Sequence, residues 1–386
     1  MRIAQLANFV GPTSGGLRTA IGALGEGYVA AGVARLLVVP GPEDRWLETA
    51  SGDVVQVRAP RVGGGYRLIL EPWRVVDVLR RFAPTTVELS DKSTLLPITG
   101  WARRAGVPSV LLSHERLDAM LSLRTGLPVR AGAWNRTVVR RHDRVVVTSR
   151  YAGDELRAWA ELTATPLHRV PLGVDLATFR PRPGNDAGGR DDGRLHLVHA
   201  GRLSREKSPH LAVATAVELH RRGVPVRLDV HGDGPHRHEL EAMAAGAPVV
   251  FHGHVAGRER LAARLAEADV ALSVCPGETF GLAVLEALAC GTPVVTADTG
   301  GARELVDPAC GAWAPPRAAR LADAVLAIAG RPATDRRAAA RRRAEQYPWS
   351  RTVERMLEVH DLALSDGPAP VATGRRRAPV GDRRPA

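Results

Sequence analysis

The segment Gly201-Arg202-Leu203-Ser204-Arg205-Glu206-Lys207-Ser208-Pro209 sets an arginine and a lysine five residues apart, ahead of a proline placed to open a helix. A guanidinium presents a planar fork of donors and an ammonium a compact point charge, so together the two fit one diphosphate. Lysine is rare here: Lys92 and Lys207 stand alone among cations that are otherwise arginine. A lysine in such a background points to a need for its ammonium, the plainer reading being two exposed loop cations. In residues 276–293, Glu278 and Glu286 lie eight residues apart, a little over two helical turns, so both carboxylates can face one cleft. Glu286 stands among Leu, Val and Ala and needs a hydrogen-bond partner if buried. Sugar or ribose hydroxyls would serve; a purely structural glutamate is the alternative. A third segment, Gly11-Pro12-Thr13-Ser14-Gly15-Gly16, can bring backbone close to a ligand with a helix N-terminus behind it, which favours an anion. Its spacing is not the G-x-G-x-x-G dinucleotide fingerprint, and a tight turn would also account for it.

All three segments follow an expected strand. Apolar runs at 2–9, 35–39, 54–58, 86–89, 109–113 and 144–148 alternate with helical patterns, one of them near 72–82. After a Pro/Gly/Asp-rich break at 181–193 the alternation restarts, with strands expected at 195–200, 226–231, 249–252, 270–274 and 293–296. Such alternation predicts an α/β protein whose parallel sheets are covered by helices on both faces, and two series predict two Rossmann-like domains. Ligands of these sheets bind beyond the carboxyl ends of the strands.

Composition narrows the class. The chain is 45% hydrophobic and 24% charged, as expected for a soluble globular protein. No run approaches the roughly 20 apolar residues of a membrane span, and the opening residues lack the apolar core of a secretory signal. Cys275, Cys290 and Cys310 are too few for a disulfide framework and lack zinc-site spacing; they read as structural, in a reduced cytoplasmic protein. The net charge is +12. Residues 331–355 hold eight arginines and three acids, read as a solvated helix face or as a surface for anionic lipid headgroups. Nucleic acid is disfavoured by the sparse aromatics (seven Trp, four Tyr, five Phe) and the lack of a basic-aromatic motif. A basic nucleic-acid-binding protein is nonetheless the rival from another class.

The pattern G-R-L-S-x-E-K-x-P, E-x7-E followed by A-x-G-T-P-V-V, the N-terminal glycine loop and Pro171-Leu172-Gly173-Val174-Asp175 together resemble the retaining glycosyltransferases of the GT4 family. The resemblance covers about residues 1–362 and implies the GT-B fold, two Rossmann-like parallel-sheet domains facing a cleft. It implies an acceptor-binding domain at 1–175 and a nucleotide-sugar donor domain at 176–362. The last helix, 345–362, is expected to pack back on the first domain, and 363–386 to form a basic disordered tail. Ser113-His114-Glu115-Arg116-Leu117-Asp118, with Glu88-Leu89-Ser90-Asp91-Lys92 before it, further resembles actinobacterial GDP-mannose-dependent α-mannosyltransferases of glycolipid synthesis, including the phosphatidylinositol mannoside enzymes.

The resemblance implies that Arg202 and Lys207 hold the donor diphosphate and stabilise it as it leaves. Glu278 would bind sugar hydroxyls, the backbone of Phe280, Gly281 and Leu282 would meet sugar and phosphate, and Glu286 would hold the ribose. The backbone near Val255 would hold the base. Gly15 and Gly16 would approach the phosphates from the other domain, and His114 would sit beside the sugar. No cofactor is expected. No metal is expected either, since Arg202 and Lys207 fill the role of a cation and no Asp-x-Asp motif is present. The expected partners are a nucleotide-sugar donor, a lipid-linked or glycan acceptor and an anionic membrane surface at the inner face of the plasma membrane. A UDP-sugar donor is the first rival within the fold, and a nucleotide-sugar epimerase a second. Residues 66–74 and the helix after them mix aromatics, aliphatics and arginine, which suits either a lipid surface or packing on the sheet.

Overall fold

In the computed structural model, residues 1–8, 10, 15–62, 66–116, 118, 131–182 and 193–368 are described. The first sheet uses β1 (Arg2–Leu6), β2 (Ala34–Gly41), β3 (Arg45–Leu47), β4 (Asp53–Arg58), β7 (Thr86–Leu89), β8 (Ser109–Ser113), β9 (Arg144–Val147) and β10 (Leu167–Arg169); a separate hairpin pairs β5 (Arg61–Val62) with β6 (Tyr66–Arg67). Its order is β10-β9-β8-β7-β1-β2-β4-β3, parallel throughout except for antiparallel β3. The second sheet uses β11 (Leu195–Ala200), β12 (Val226–His231), β13 (Val249–Gly253), β14 (Val270–Ser273), β15 (Val294–Ala297) and β16 (Gly311–Ala314), all parallel, in the order β13-β12-β11-β14-β15-β16. Strands such as β9 and β15 are buried along their whole length, which is why they read as near-continuous apolar runs and not as alternating ones, whereas β7, equally buried, carries Thr86 and Glu88 inward.

Each sheet reverses direction once. In the first, the chain winds outward from β1 through β2 and then returns to add β7 on the other side; in the second it winds outward from β11 through β12 and returns at β14. The crevices at these reversals are where a parallel sheet opens space for a ligand. The loops bounding the second crevice are residues 201–208, after β11, and residues 274–281, after β14. These are the two segments with diphosphate and hydroxyl chemistry.

Several expectations are corrected. The strand expected at 2–9 ends at Leu6. β3, β5, β6, β10 and β16 were not anticipated; each has four residues or fewer, too short to show periodicity. Residues 331–355 are only in part a solvated face: Arg331, Arg342, Arg351 and Arg355 are exposed, while the other four arginines turn inward. Arg336 and Arg337 are each only 6% exposed. Arg337 donates to the carbonyls of Ala268 and Ala266, Arg341 to those of Phe179 (2.9 Å) and Ala289 (3.0 Å), and Arg343 to that of Leu305 (2.9 Å). Ala266 and Ala289 lie in the last turns of the helices Arg258–Glu267 and Leu282–Ala289, so guanidinium groups satisfy carbonyls that a helix end leaves open.

The helix Trp349–Asp366 follows the second sheet in sequence yet packs on the first. It runs four residues beyond the expected end at 362; the rest of the expected tail, from 369, lies outside the described residues. At the crossover, Val174 N donates to Tyr347 O (2.9 Å) and Thr352 Oγ1 to Pro171 O (2.9 Å). A Cβ at Gly173 would lie 2.5 Å from the Trp349 Cα, so only glycine lets the two strands of backbone pass. Further along, His360 enters a fully buried polar cluster. Glu88 Oε2 accepts from His360 Nε2 (3.1 Å) and Tyr28 OH (2.8 Å), Glu88 Oε1 from Gln5 Nε2 (2.9 Å), and His360 Nδ1 meets Thr86 Oγ1 at 3.0 Å. Among the described residues, no helix is long and apolar enough to cross a membrane.

Candidate active site

The loop after β11 closes in a short 3-10 turn, Arg205–Lys207, and Ser208 takes a left-handed conformation (φ 48°) before Pro209 opens the helix Pro209–Arg221. This turn aims Lys207 across the crevice. Its Nζ donates to Glu278 Oε2 at 2.7 Å, with the lysine side chain 40% and the glutamate 16% exposed. Burial pushes the Glu278 carboxyl up, but the Lys207 ammonium and the backbone amides of Phe280 and Thr279 outweigh it and hold the group below its ordinary value. For Lys207, burial works against the charge and Glu278 overcomes it, so the ammonium is held above its ordinary range. Both shifts describe one ion pair on the lip of the crevice, charged on both sides at neutral pH.

Arg202 lies close enough to oppose the Lys207 charge, and its Nη1 reaches Glu206 Oε1 at 3.4 Å. Glu206 in turn accepts from Ser204 Oγ (2.5 Å), and its carbonyl accepts from Cys275 Sγ (3.1 Å). Burial raises the Cys275 thiol, so it stays protonated and stitches the lysine turn to the β14 loop. The two other cysteines are buried as well, their thiols pushed up to about 12 at Cys290 and about 11 at Cys310. Sequence reasoning missed the stitching role of Cys275, because a lone cysteine carries no signal of its partner.

Glu286 has the opposite electrostatics from Glu278. It is half-buried on the helix Leu282–Ala289, and burial pushes its carboxyl up to about 7 against the pull of Arg258. Gly281, at the start of that helix, has φ 99°, and Phe280 before it turns its ring into the core at 4% exposure. The helix Gly15–Ala30 begins directly opposite, since a Cβ on Gly16 would lie 3.7 Å from Leu282 Cδ1, while one on Gly15 would meet open space. Two helix N-termini, one from each sheet, therefore converge on the cleft, where their partial positive charge suits an anion. Residues 11–14 of the glycine loop lie outside the described residues. Val255 is half-buried in the loop between β13 and the helix Arg258–Glu267, on the same segment as Arg258.

His114 follows β8 in the first sheet. Its Nε2 lies 3.0 Å from the Ser90 carbonyl; a carbonyl only accepts, so Nε2 carries the proton. Burial lowers its basicity, only partly offset by Glu115, so the ring is neutral at pH 7 with Nδ1 open to accept a hydrogen bond. The Thr279 hydroxyl donates to the His114 carbonyl at 2.7 Å, bringing this strand end against the loop that carries Glu278. Lys92, the other lysine, bridges the Glu115 carbonyl (2.5 Å) and the buried Glu155 carboxylate (3.1 Å), fixing the residues after His114. Among the described residues, no three His, Cys, Asp or Glu side chains are arranged to hold a metal ion.

Two parallel sheets whose switch-point loops meet across a cleft, with a cationic and helix-dipole cradle on one wall, define the GT-B fold. The solved structure of sucrose-phosphate synthase from Thermosynechococcus elongatus matches it with a TM-score of 0.76 over 95% of this chain and 100% of its own, at 21% identity. Anabaena HepE, solved with UDP and glucose, matches with a TM-score of 0.72 over 94% and 99%, at 17% identity. A glycosyl transferase 4-like domain model matches residues 15–173, and a glycosyl transferases group 1 model matches residues 194–331. The chain is 41% identical over 374 residues, 92% of this chain and 95% of the relative, to a GDP-mannose-dependent alpha-(1-6)-phosphatidylinositol dimannoside mannosyltransferase of Mycobacterium tuberculosis. It is 35% identical to a GDP-mannose-dependent alpha-mannosyltransferase of Mycolicibacterium smegmatis, over 61% of each chain. The chain belongs to the GT4 family of glycosyltransferases, and it is an enzyme of that class.

Proposed function

We propose that the enzyme moves mannose from GDP-mannose, with retention, to a lipid-linked acceptor of the phosphatidylinositol mannoside type. The observation that carries this reading is the Lys207–Glu278 pair, set at the switch point and tied through Thr279 to His114, in a chain aligned end to end with the mycobacterial dimannoside enzyme. Lys207 keeps one N–H on Glu278 and turns another, with the Arg202 fork, to the donor diphosphate. Glu278 keeps its second oxygen for the sugar hydroxyls, and the neutral His114 accepts from the sugar through Nδ1. The backbone of Phe280, Gly281 and Leu282 and that of Gly15 and Gly16 close on sugar and phosphates. The bond from the anomeric carbon to the phosphate oxygen breaks as the acceptor oxygen bonds on the same face. The acceptor's proton goes to the leaving phosphate. Stabilising that phosphate is the main catalytic task, and Arg202, Lys207 and the two helix N-termini are placed for it. The site asks nothing of a metal in this scheme.

Donor recognition carries a pH signature. With Glu286 on the ribose, two hydroxyls donate to its carboxylate, so binding favours the ionised form of a group that rests near 7. GDP affinity is expected to rise as pH increases from 6 to 8, and Glu286→Gln to abolish that dependence. Thermal stabilisation without metal measures it: a nucleotide at 100 times its dissociation constant adds about 2.7 kcal/mol. GDP, UDP and ADP are compared in the same scan. UDP as the only stabilising nucleotide would discard mannose and keep the transferase; no shift with any of them would remove the donor-site assignment.

A lipid acceptor calls for membrane contact at the first domain. The helix Pro72–Phe82 buries Val75, Leu79 and Phe82 against the sheet, yet Trp73 is 60% and Leu70 53% exposed. Ile69 N donates to Asn8 Oδ1 (3.0 Å) beyond the end of β1, which anchors the segment leading to this helix at the carboxyl end of the first sheet. The nearby arginines are engaged: Arg74 with Asp44 and Glu71, Arg80 with Asp77, Arg81 over Trp46. Attachment therefore leans on apolar insertion more than on charge. Trp73→Ala is expected to lower partitioning onto vesicles containing phosphatidylinositol roughly tenfold, the worth of one buried aromatic side chain. Co-sedimentation at low salt tests this, and equal partitioning of variant and wild type would refute it.

A further inference from the structure

Three segments from the two sheets meet beside the cleft with no space to spare. After β15, a 3-10 turn, Gly301–Leu305, carries Glu304. Its carboxylate reaches across to the first domain and accepts from two successive backbone amides, Arg150 N at Oε2 (3.0 Å) and Tyr151 N at Oε1 (2.9 Å), with Arg169 Nη1 3.6 Å away. Ser149, just before them, accepts from Ala152 N (2.9 Å) and donates to the Thr279 carbonyl (2.5 Å). Thr279 spends its own hydroxyl on the His114 carbonyl (2.7 Å). Gly301 N closes the ring by donating to the Glu278 carbonyl (2.6 Å), and a Cβ on Gly301 would stand 2.1 Å from the Thr279 oxygen.

We infer that Glu304, with Ser149 and Thr279, is an interdomain clasp that positions the Glu278 loop against His114, so that it governs turnover and not nucleotide binding. The two backbone amides open the helix Arg150–Asp154 and have no acceptor within it, and a carboxylate arriving from the other domain satisfies both while its charge meets Arg169. The crossover contacts at Gly173 and Trp349 also join the domains, but they involve no residue of the cleft. Among the described residues, the clasp's Thr279 ties the loop of the residue proposed to hold the sugar from one side to the residue proposed to hold it from the other, and Glu304 and Ser149 fix the turn against which that loop rests. Arg202, Lys207 and Glu286 lie outside it on the second domain, so a free nucleotide can bind with the clasp open, before Gly15 and Gly16 close on it from the first domain. Glu304 touches no substrate in this arrangement and is a positioning residue. The inference rests on the transferase reading of the cleft but not on which nucleotide sugar is used.

The test is Glu304→Ala, assayed with whichever nucleotide sugar the protein turns over. A displacement of about 1 Å between reacting groups costs on the order of 10²-fold in rate, so kcat is expected to fall about that far while the dissociation constant of the free nucleotide stays within twofold. Thr279→Val cuts the link to His114 from the other end and should give the same split, with Thr279→Ser, which keeps the hydroxyl, restoring turnover. Spin labels on the two domains read the clasp directly: the interdomain distance distribution should broaden in Glu304→Ala whatever the substrate proves to be. The inference is overturned by kcat within threefold of wild type, by loss of nucleotide affinity in parallel with kcat, or by an unchanged distance distribution. A failed assignment of mannose leaves all three readouts in place, so it cannot be mistaken for failure of the clasp.

Discussion

Lys207→Ala is expected to lower kcat/KM by about 10³-fold or more, the largest loss of any single substitution outside the core. Removing one preorganised donor from a developing oxyanion costs about 10²–10³-fold, and here a full positive charge goes with it. A second effect compounds the first. Lys207 is the largest of the groups that hold the Glu278 carboxyl below its ordinary value against burial. Without the ammonium, burial moves the Glu278 pKa up from where the pair holds it, opposed only by the backbone amides of Phe280 and Thr279. The residual activity should then decline as pH falls through this new, higher value, on a limb that wild type shows only at much lower pH. Lys207→Arg is a sharp control. A planar guanidinium keeps the charge but not the compact reach that serves carboxylate and phosphate at once, so the pairing with Glu278 should recover and turnover only in part. Because the pair acts as a unit, Lys207→Ala with Glu278→Gln should be far from additive, little slower than Lys207→Ala alone. Rates of Lys207→Ala within tenfold of wild type would remove leaving-group stabilisation from this residue.

The loops after β11 and β14 stood out in the sequence because their residues break local expectation. A lysine among arginines and a glutamate inside an apolar helix are visible without a structure, and strand-helix alternation places both at loop ends where parallel sheets bind ligands. What the spacing hid was that Lys207 and Glu278, assigned separate tasks on diphosphate and sugar, are first of all partners of each other. The clasp was hidden more thoroughly: Glu304 lies 154 positions from Arg150, and its target is backbone, which every residue carries. The arginines of residues 331–355 show the same limit. Their abundance read as a surface, whereas Arg337 and Arg341 spend their donors on helix-end carbonyls that no pattern of side chains reveals. Composition gives charge; only the fold says whether water or backbone receives it.

That limit holds for the helix Trp349–Asp366, whose attachment sets the second large effect. His360, 272 residues from Glu88 and fully buried, reaches a carboxylate that is itself 1% exposed. Burial works to raise the Glu88 carboxyl, and the hydrogen bond and charge of His360, with Gln5 and Tyr28, more than reverse it. Removing one member of such a cluster strands a buried charge, so His360→Ala is expected to cost about 3–5 kcal/mol at pH 7. Replacing both groups by apolar ones, His360→Leu with Glu88→Met, should recover most of that loss, because the stranded charge goes with its partner. The pH dependence has a definite sign. A carboxylate held below its unfolded value of 4.5 contributes its full stabilisation above that value and loses it as pH falls through the lower, folded one. Glu88→Gln should therefore flatten the acid side of the stability curve as well as lower its plateau. Urea unfolding followed between pH 3 and 8 separates these cases. The returning helix is the chain's route back from the second sheet, so its loosening should appear first as exchange of amides in the first sheet around β7, ahead of global unfolding. A His360→Ala protein within about 1 kcal/mol of wild type would show that the apolar contacts of Val353, Met356 and Val359 hold the helix in place and that the buried pair is neutral in balance.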